Sequence, residues 1–304
     1  MSESREQSDT TFCTIITADY IHYALSLYDS LSAFCPHVSL RVLIVDREED
    51  GGALARANPE IDIRFWQRYC KVGTGRKIAR KYHQGDLDRF RWSMKAVFLT
   101  GLLDEGFSQV FFLDPDLYFF ASPEFLSEAL HGSALLLSPH WRCGDPEKDM
   151  RNFKLLRTDG LFNAGFIGAT QAGRSALEWW ARACAYCCEK VPHEGLFNDQ
   201  AYLDLLPVYF EGVEILRDRG CNVANWNQTE CRRELQEDGT VLINGRWNIT
   251  FIHFTASTVR GIESGMDPLL APYLASYRST LERNAARTRH ESLSTLHDSR
   301  GGTV

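Results

Sequence analysis

The run Val110-Phe111-Phe112-Leu113 leads without a break into Asp114-Pro115-Asp116. An apolar stretch this short and uniform predicts a buried strand at the centre of an α/β sheet. Residues two apart on an extended chain point to the same side, so Asp114 and Asp116 face one object together. Pro115 stiffens the link between them. In open α/β sheets ligands sit beyond the carboxyl ends of strands. Two carboxylates held side by side repel, and a divalent cation removes the conflict. Hard oxygen ligands suit Mg²⁺ or Mn²⁺, which would bridge a nucleotide diphosphate and stabilise its charge as it leaves. The plainer reading is a turn after a buried strand, since Asp and Pro are common turn residues.

The flanking sequence has the alternation of a parallel sheet. Residues 12–17 are apolar and β-branched and predict a strand. Ile21, Ala24, Leu25, Tyr28, Leu31 and Phe34 then recur at helical spacing, up to the turn Cys35-Pro36-His37. Residues 40–45 and 61–66 predict two more strands, which completes a βαβ pattern. Helices are predicted over 90–103, over 122–130 behind Ser122-Pro123, over 174–190 and over 195–206. Strands are predicted over 134–137, 160–169 and 248–254, with short strands in 208–226. A hairpin is predicted from the Asp238-Gly239 turn into 240–243. Three stretches show no clear period: the basic segment 71–81, read as a mobile loop; the polar segment 142–159, read as a long loop over the open edge; and 281–304, read as a polar, frayed tail. Residues 1–10 read as a disordered lead.

The formal net charge of −7 argues against nucleic acid as the main partner. No apolar run is long enough to span a bilayer, and the first residues lack the basic end and apolar stretch of a signal peptide. The nine cysteines, an odd count without such a signal, predict reduced thiols in a cytoplasmic protein. Peripheral membrane association stays open. Cys184, Cys187 and Cys188 continue the helical stripe of Leu177, Trp180 and Ala181, so they read as core and not as a zinc site. On the same reasoning the sequons at Asn227 and Asn248 are chance.

Three further segments, taken in order, carry a resemblance. Phe162-Asn163-Ala164-Gly165, Phe197-Asn198-Asp199-Gln200 and Ile252-His253-Phe254 follow the Asp-Pro-Asp element. Over residues 11–257 the chain resembles GT-A glycosyltransferases, and within them the glycogenin-like and galactosyltransferase-like family-8 enzymes. The resemblance implies a GT-A-like α/β fold with a mixed, mainly parallel central sheet and flanking helices. It implies a single catalytic domain over 11–280, with nucleotide and metal bound by 11–116 and donor sugar and acceptor by 117–280. It also implies that His253 completes a metal site with Asp114 and Asp116. The family's late His is usually followed by a Gly and a Lys-Pro-Trp element that grips the diphosphate. Here Phe254-Thr255-Ala256-Ser257 follows instead. Arg76, Lys77, Arg80 and Lys81 are candidate substitutes, and Lys95 is another candidate phosphate contact.

Several residues carry two readings. Thr17, Ala18 and Asp19 lie where such folds meet base or ribose, and equally where a helix cap is needed; Asp46 is similar. Trp66 packs on the base or, more simply, in the core. Asn163 donates to the donor sugar or satisfies a turn. Asp199 would be the general base of an inverting enzyme; in a retaining one Gln200 would face the sugar opposite the leaving group; a helix cap accounts for either residue as well. Trp226 and its neighbours Asn225 and Asn227 line the acceptor side or anchor a loop. The expected reaction is therefore transfer of a hexose from a nucleotide diphosphate sugar, UDP-linked by preference, to an acceptor hydroxyl of a glycan, small molecule or protein, with retention. A haloacid-dehalogenase-type phosphatase would need a Thr or Val soon after Asp116, where Leu117 and Tyr118 stand. A nucleotidyltransferase would need a Gly-rich loop after the first strand, where Ala18-Asp19-Tyr20 stands. An inactive nucleotide-sugar-binding module is the other alternative.

Overall fold

The apolar runs and helical periods resolve, in a computed structural model describing residues 9–47 and 51–298, into a sheet with helices on both faces. The chain opens with β1 (Thr10–Ile16), α1 (Ile21–Ser32), β2 (Leu40–Ile44), α2 (Gly51–Ala57) and β3 (Asp62–Phe65). Then come α3 (Gly73–Tyr82), α4 (Leu87–Asp104), β4 (Gln109–Leu113), β5 (Leu117–Phe119) and α5 (Phe125–Leu130). β6 (Leu135–Pro139), α6 (Met150–Thr158), β7 (Phe162–Thr170) and α7 (Arg174–Tyr186) follow. The remainder is shorter: β8 (Lys190–Val191), β9 (Leu196–Phe197), α8 (Leu206–Tyr209), β10 (Val213–Ile215), β11 (Arg233–Leu235), β12 (Val241–Ile243), β13 (Trp247–Asn248) and β14 (Phe251–His253). Two helices, α9 (Ala256–Glu263) and α10 (Ala271–Asp298), complete it.

Among the described residues the main sheet has seven strands, in the order β10-β6-β7-β4-β1-β2-β3. All neighbours run parallel except β7, which is antiparallel to both β4 and β6. β4 is central, as its composition requires. Its side chains alternate between two cores: Val110 and Phe112 pack with α4 and α7, Phe111 and Leu113 with α1 and α5. Fully burying one such side chain stabilises the fold by roughly 1.5–3 kcal/mol. α4 is started by Asp86, whose carboxylate accepts the Arg89 amide at 2.9 Å. It buries Phe90, Met94, Phe98 and Leu102, one residue per turn. A third core gathers Ile252, Phe254, Ile262, Leu274 and Tyr277 around β14.

Five expectations need correction. The helix expected over 174–190 stops at Tyr186, Cys187 is extended, and Lys190 already belongs to β8. The basic segment 71–81 is mostly helix α3, not a mobile loop; Gly75, Ile78 and Tyr82 face inward. A Cβ at Gly75 would lie 2.3 Å from the Tyr69 carbonyl oxygen, so the glycine that hid the period is what lets the helix pack. The segment 142–159 contains α6, started by Asp149, whose carboxylate accepts the Asn152 amide; none of its residues is fully buried, so its apolar signal is weak. The helix expected over 195–206 is broken up: β9 occupies Leu196–Phe197, Asn198 is left-handed at φ 52°, and a 3-10 helix runs over Gln200–Leu205. The segment after Leu281 continues α10 as far as Asp298. There Asn284 is buried and donates to Ser26 Oγ and Asp29 Oδ2 of α1, a polar contact invisible to a search for apolar periods. Of the expected lead 1–10, Thr10 already belongs to β1, and residues 1–8 lie outside the described residues, as do 299–304 of the expected tail.

No helix among the described residues is long and apolar enough to cross a membrane. All nine cysteines are free thiols.

Candidate active site

The carboxyl end of β4 carries the site. The Asp114 amide donates to Gly165 O of β7 at 2.8 Å, and a turn closes from Leu117 N to Asp114 O at 3.1 Å. That turn sends the chain into β5, which pairs antiparallel with β14 and sets His253 opposite Leu117. The Phe254 amide also donates to Asp116 O at 2.9 Å, fixing the two segments together. As a result His253 Nε2 lies 3.1 Å from Asp116 Oδ1 and 3.9 Å from Asp114 Oδ2. Among the described residues these three form the only group whose ligand atoms come together as a metal set would, within 4.8 Å of one another.

The imidazole is oriented from behind. Its Nδ1 lies 3.2 Å from Asn222 Oδ1. An amide oxygen only accepts, so Nδ1 carries the hydrogen and Nε2 faces the carboxylates. Asn222 reaches it from a left-handed conformation, φ 58°. Burial pushes the Asp116 carboxyl up, but His253 outweighs that and holds it below its ordinary value. Burial draws His253 down, and Asp116 followed by Asp114 carries it above its ordinary value.

Two carboxylates and an imidazole nitrogen fit a small divalent cation, and Gly165 supplies an independent check. A Cβ there would lie 2.6 Å from Asn163 Oδ1, 2.6 Å from His253 Cε1 and 2.9 Å from Asp114 Oδ2. The strand opposite the carboxylates is bare so that the three groups can converge over it.

Behind the carboxylates lies a buried ion pair. Lys95 Nζ is 3.0 Å from Ala164 O, 3.1 Å from Asp114 Oδ1 and 3.4 Å from Asp199 Oδ2. The ammonium donates to the Ala164 carbonyl and is paired in charge with both carboxylates. Burial draws the Lys95 pKa down; Asp114 and then Asp199 more than restore it, so the ammonium stays charged. Asp199 is only 3% exposed. Burial raises its carboxyl against the pull of Lys95, and its carbonyl accepts the Trp180 indole N–H at 2.8 Å.

Asn163 and Gln200 are also tied down. Asn163 Oδ1 accepts the Gly165 amide at 2.9 Å, and its Nδ2 donates to His140 Nε2 at 3.2 Å. Gln200 donates through Nε2 to Asp159 O at 2.7 Å and accepts the Ala164 amide at 3.1 Å. His140 holds Gly160 O through Nδ1 at 2.9 Å. Its burial, with Arg142 nearby, pushes its imidazole down to about 3, so it is neutral.

A cavity of about 280 Å³ opens in front of this framework. It is lined by the Asp114–Asp116–His253 set with Lys95 and Asn163, and on its other walls by Tyr20, Arg91, Trp92 and Thr255. Asp199 and Gln200 do not line it. Thr17, Ala18 and Asp19 sit at the end of β1 as expected, but they are bonded among themselves and to Asp46. Thr17 Oγ1 donates to Asp19, and the Ala18 amide donates to both Asp46 oxygens at 2.9 and 3.1 Å. Trp66 packs against His83 and Phe90. Arg76, Lys77, Arg80 and Lys81 are exposed on α3 and do not line the cavity. A larger groove of about 620 Å³ beside α3, α4 and α7 shares no lining residue with the carboxylate cavity.

Sequence reasoning missed Asn222, His140 and Arg91. Asn222 gave no local signal, because β11, β12 and β13 separate it from His253 along the chain. Trp226, read as either acceptor wall or loop anchor, sets its ring edge-on to both His140 and His253, with centroids 5.6 and 5.5 Å apart. Asn227 is fully buried and donates to Asn222 O at 2.9 Å, so it anchors the Asn222 loop.

No family model matches the chain. It is 26% identical over 262 residues to the uncharacterized protein YfnF of Bacillus subtilis (strain 168), covering 83% of each chain. It is 27% identical over 257 residues to the uncharacterized protein YfnD of the same organism, covering 82% of this chain and 78% of that one. Among solved structures, that of mouse xyloside xylosyltransferase 1 in its apo form superposes with a TM-score of 0.50 at 13% identity, over 82% of this chain and 98% of that one. The likeness is one of fold: a GT-A-type α/β architecture with a mostly parallel central sheet flanked by helices.

Proposed function

We propose that this chain is a metal-dependent glycosyltransferase. It moves a hexose from a nucleotide diphosphate sugar, UDP-linked by preference, to an acceptor hydroxyl, in the cytoplasm and with retention. The convergence of Asp114, Asp116 and His253 at the carboxyl end of the central strand, with Asp114 and His253 closing over the bare backbone of Gly165, carries the proposal. A Mn²⁺ or Mg²⁺ ion held by these three would supply electrostatic stabilisation of the departing diphosphate.

The other residues take supporting parts. Asn222 keeps Nε2 of His253 turned to the site. Lys95 takes one oxygen of Asp114 and so sets the angle of that carboxylate. Asn163 lines the cavity and is the candidate contact for the donor sugar. Asp199 lies behind Lys95, where it holds the ammonium, and it does not line the cavity; that favours retention over a base role. Gln200 braces the backbone of β7.

Thermal melting with a panel of nucleotides and nucleotide sugars, with and without Mn²⁺, tests the reading. A specific binder raises the midpoint by mass action. The expected result is a metal-dependent rise with one nucleoside diphosphate, absent in Asp114→Asn and Asp116→Asn, which also lose turnover while remaining folded. No rise with any nucleotide in either metal would overturn the proposal. Binding without turnover would point to an inactive nucleotide-sugar-binding module.

A further inference from the structure

A diphosphate carries more negative charge than one divalent cation offsets, and two carboxylates already face the cavity. The site therefore needs a further cation with donors to spare. Among the described residues that line the cavity, the lysine and arginine side chains are Lys95 and Arg91. Lys95 donates to Ala164 O, and its single charge is already set against two carboxylates, Asp114 and Asp199. The exposed cations of α3 line no part of the cavity.

Arg91 has what Lys95 lacks. It sits one helical turn before Lys95 on α4, on the same face. Its guanidinium lies over the Tyr20 ring, 5.4 Å from the centroid, which holds the plane in place. The side chain is 17% exposed, and its Nε is buried with no hydrogen-bond partner. One nitrogen, Nη2, is 2.9 Å from Asp88 Oδ1. Asp88 is itself 66% exposed, so solvent weakens its hold. A rigid fork of five N–H groups with one weak anchor and an unmet donor is suited to phosphate oxygens.

We infer that Arg91 is the diphosphate-binding cation of this site, taking the phosphate oxygens while the charge of Lys95 is held by Asp114 and Asp199. The inference rests on the glycosyltransferase reading of the same cavity and deepens it. If Arg91 served only to pin Tyr20 to α4, removing it would change stability and leave anion affinity alone.

The test uses probes that separate phosphate from base and from metal: inorganic pyrophosphate, UDP and uridine, each titrated calorimetrically in Mn²⁺ buffer, and Mn²⁺ alone. Arg91→Gln should weaken pyrophosphate and UDP by the same factor, at least 10-fold by loss of charge-assisted hydrogen bonds. Its affinity for uridine should stay within about twofold of the parent, and its affinity for Mn²⁺ alone should not fall, since the variant removes a positive charge that acts on Asp116. Asp88→Asn, a change on an exposed residue, should tighten pyrophosphate severalfold by releasing Nη2. Wild-type pyrophosphate affinity in Arg91→Gln would overturn the inference; so would an unchanged affinity in Asp88→Asn should the first variant fail to fold. A parent chain that binds UDP with Mn²⁺ while Arg91→Gln matches it sinks the Arg91 role alone. A parent chain that binds neither UDP nor pyrophosphate sinks the glycosyltransferase reading and this inference together.

Discussion

Gly165→Ala isolates the metal set from the rest of the fold. Its new methyl would stand 2.6 Å from both Asn163 Oδ1 and His253 Cε1 and 2.9 Å from Asp114 Oδ2. Ordinary contact begins at about 3.5 Å, so the shortfalls are about 0.6–0.9 Å. Metal ligands tolerate about 0.2 Å of displacement. At least two of the three ligand residues must move by more than that. We therefore expect Mn²⁺ affinity to fall by ~100-fold or more, about 2.7 kcal/mol. Overpacking should cost stability too, about 1–3 kcal/mol. Gly168→Ala is the control. It lies on the same strand, and the nearest atoms to its Cβ would be the Phe111 ring at 2.9 Å and Leu130 at 3.2 Å, neither in the metal set. It should lower the melting midpoint by a similar amount, about 2–4 °C per kcal/mol, and leave Mn²⁺ binding intact. Calorimetric or paramagnetic-resonance titration of Mn²⁺ reads both variants. If Gly165→Ala bound Mn²⁺ as tightly as the parent, the convergence of Asp114 and His253 over this glycine would not be the metal site.

The remaining predictions follow from the same contacts. Asn222→Ala frees the imidazole of His253 and should weaken Mn²⁺ about 10–100-fold; unchanged affinity would mean that Nδ1 needs no partner. Lys95→Met leaves Asp199 buried without its counter-charge and should cost about 3–5 kcal/mol of stability, read as a lower denaturant midpoint; an unmoved midpoint would contradict the ion-pair account. His140 binds its proton only near pH 3 when folded, against about 6.5 unfolded. Its contribution is thus fully present above about pH 6.5 and is lost as pH falls towards the folded value, in total by several kcal/mol. His140→Gln should flatten that part of the stability profile between about pH 7 and 5, and parallel profiles for the two chains would refute it.

How much could be read from the sequence depended on how local each signal was. β4 and its aspartates were legible because an uninterrupted apolar run and a two-residue spacing are facts of adjacent positions. β7 was legible in the same way and β14 in part, since the strand expected over 248–254 divides into β13 and β14, which belong to separate sheets. α3 was not, because Gly73 and Gly75 dilute its period, and only the distant Tyr69 explains why a glycine is needed there. The far half of α10 was hidden for another reason: Asn284 is buried by hydrogen bonds to α1 rather than by apolar contact. Lys95 was picked out as a cation, but its partners come from β7, the turn after β4 and the segment after β9, so its pairing with two carboxylates appears only in three dimensions. Asn222 and Arg91 are ordinary polar residues in the sequence, and long-range placement alone gives them a part in the site.

The most direct measurement is anomalous scattering from crystals grown with Mn²⁺ and UDP. The expected result is a manganese peak bounded by Asp114, Asp116 and His253 Nε2, with diphosphate density on its cavity side. Manganese bound elsewhere, with the diphosphate away from the end of β4, would contradict it.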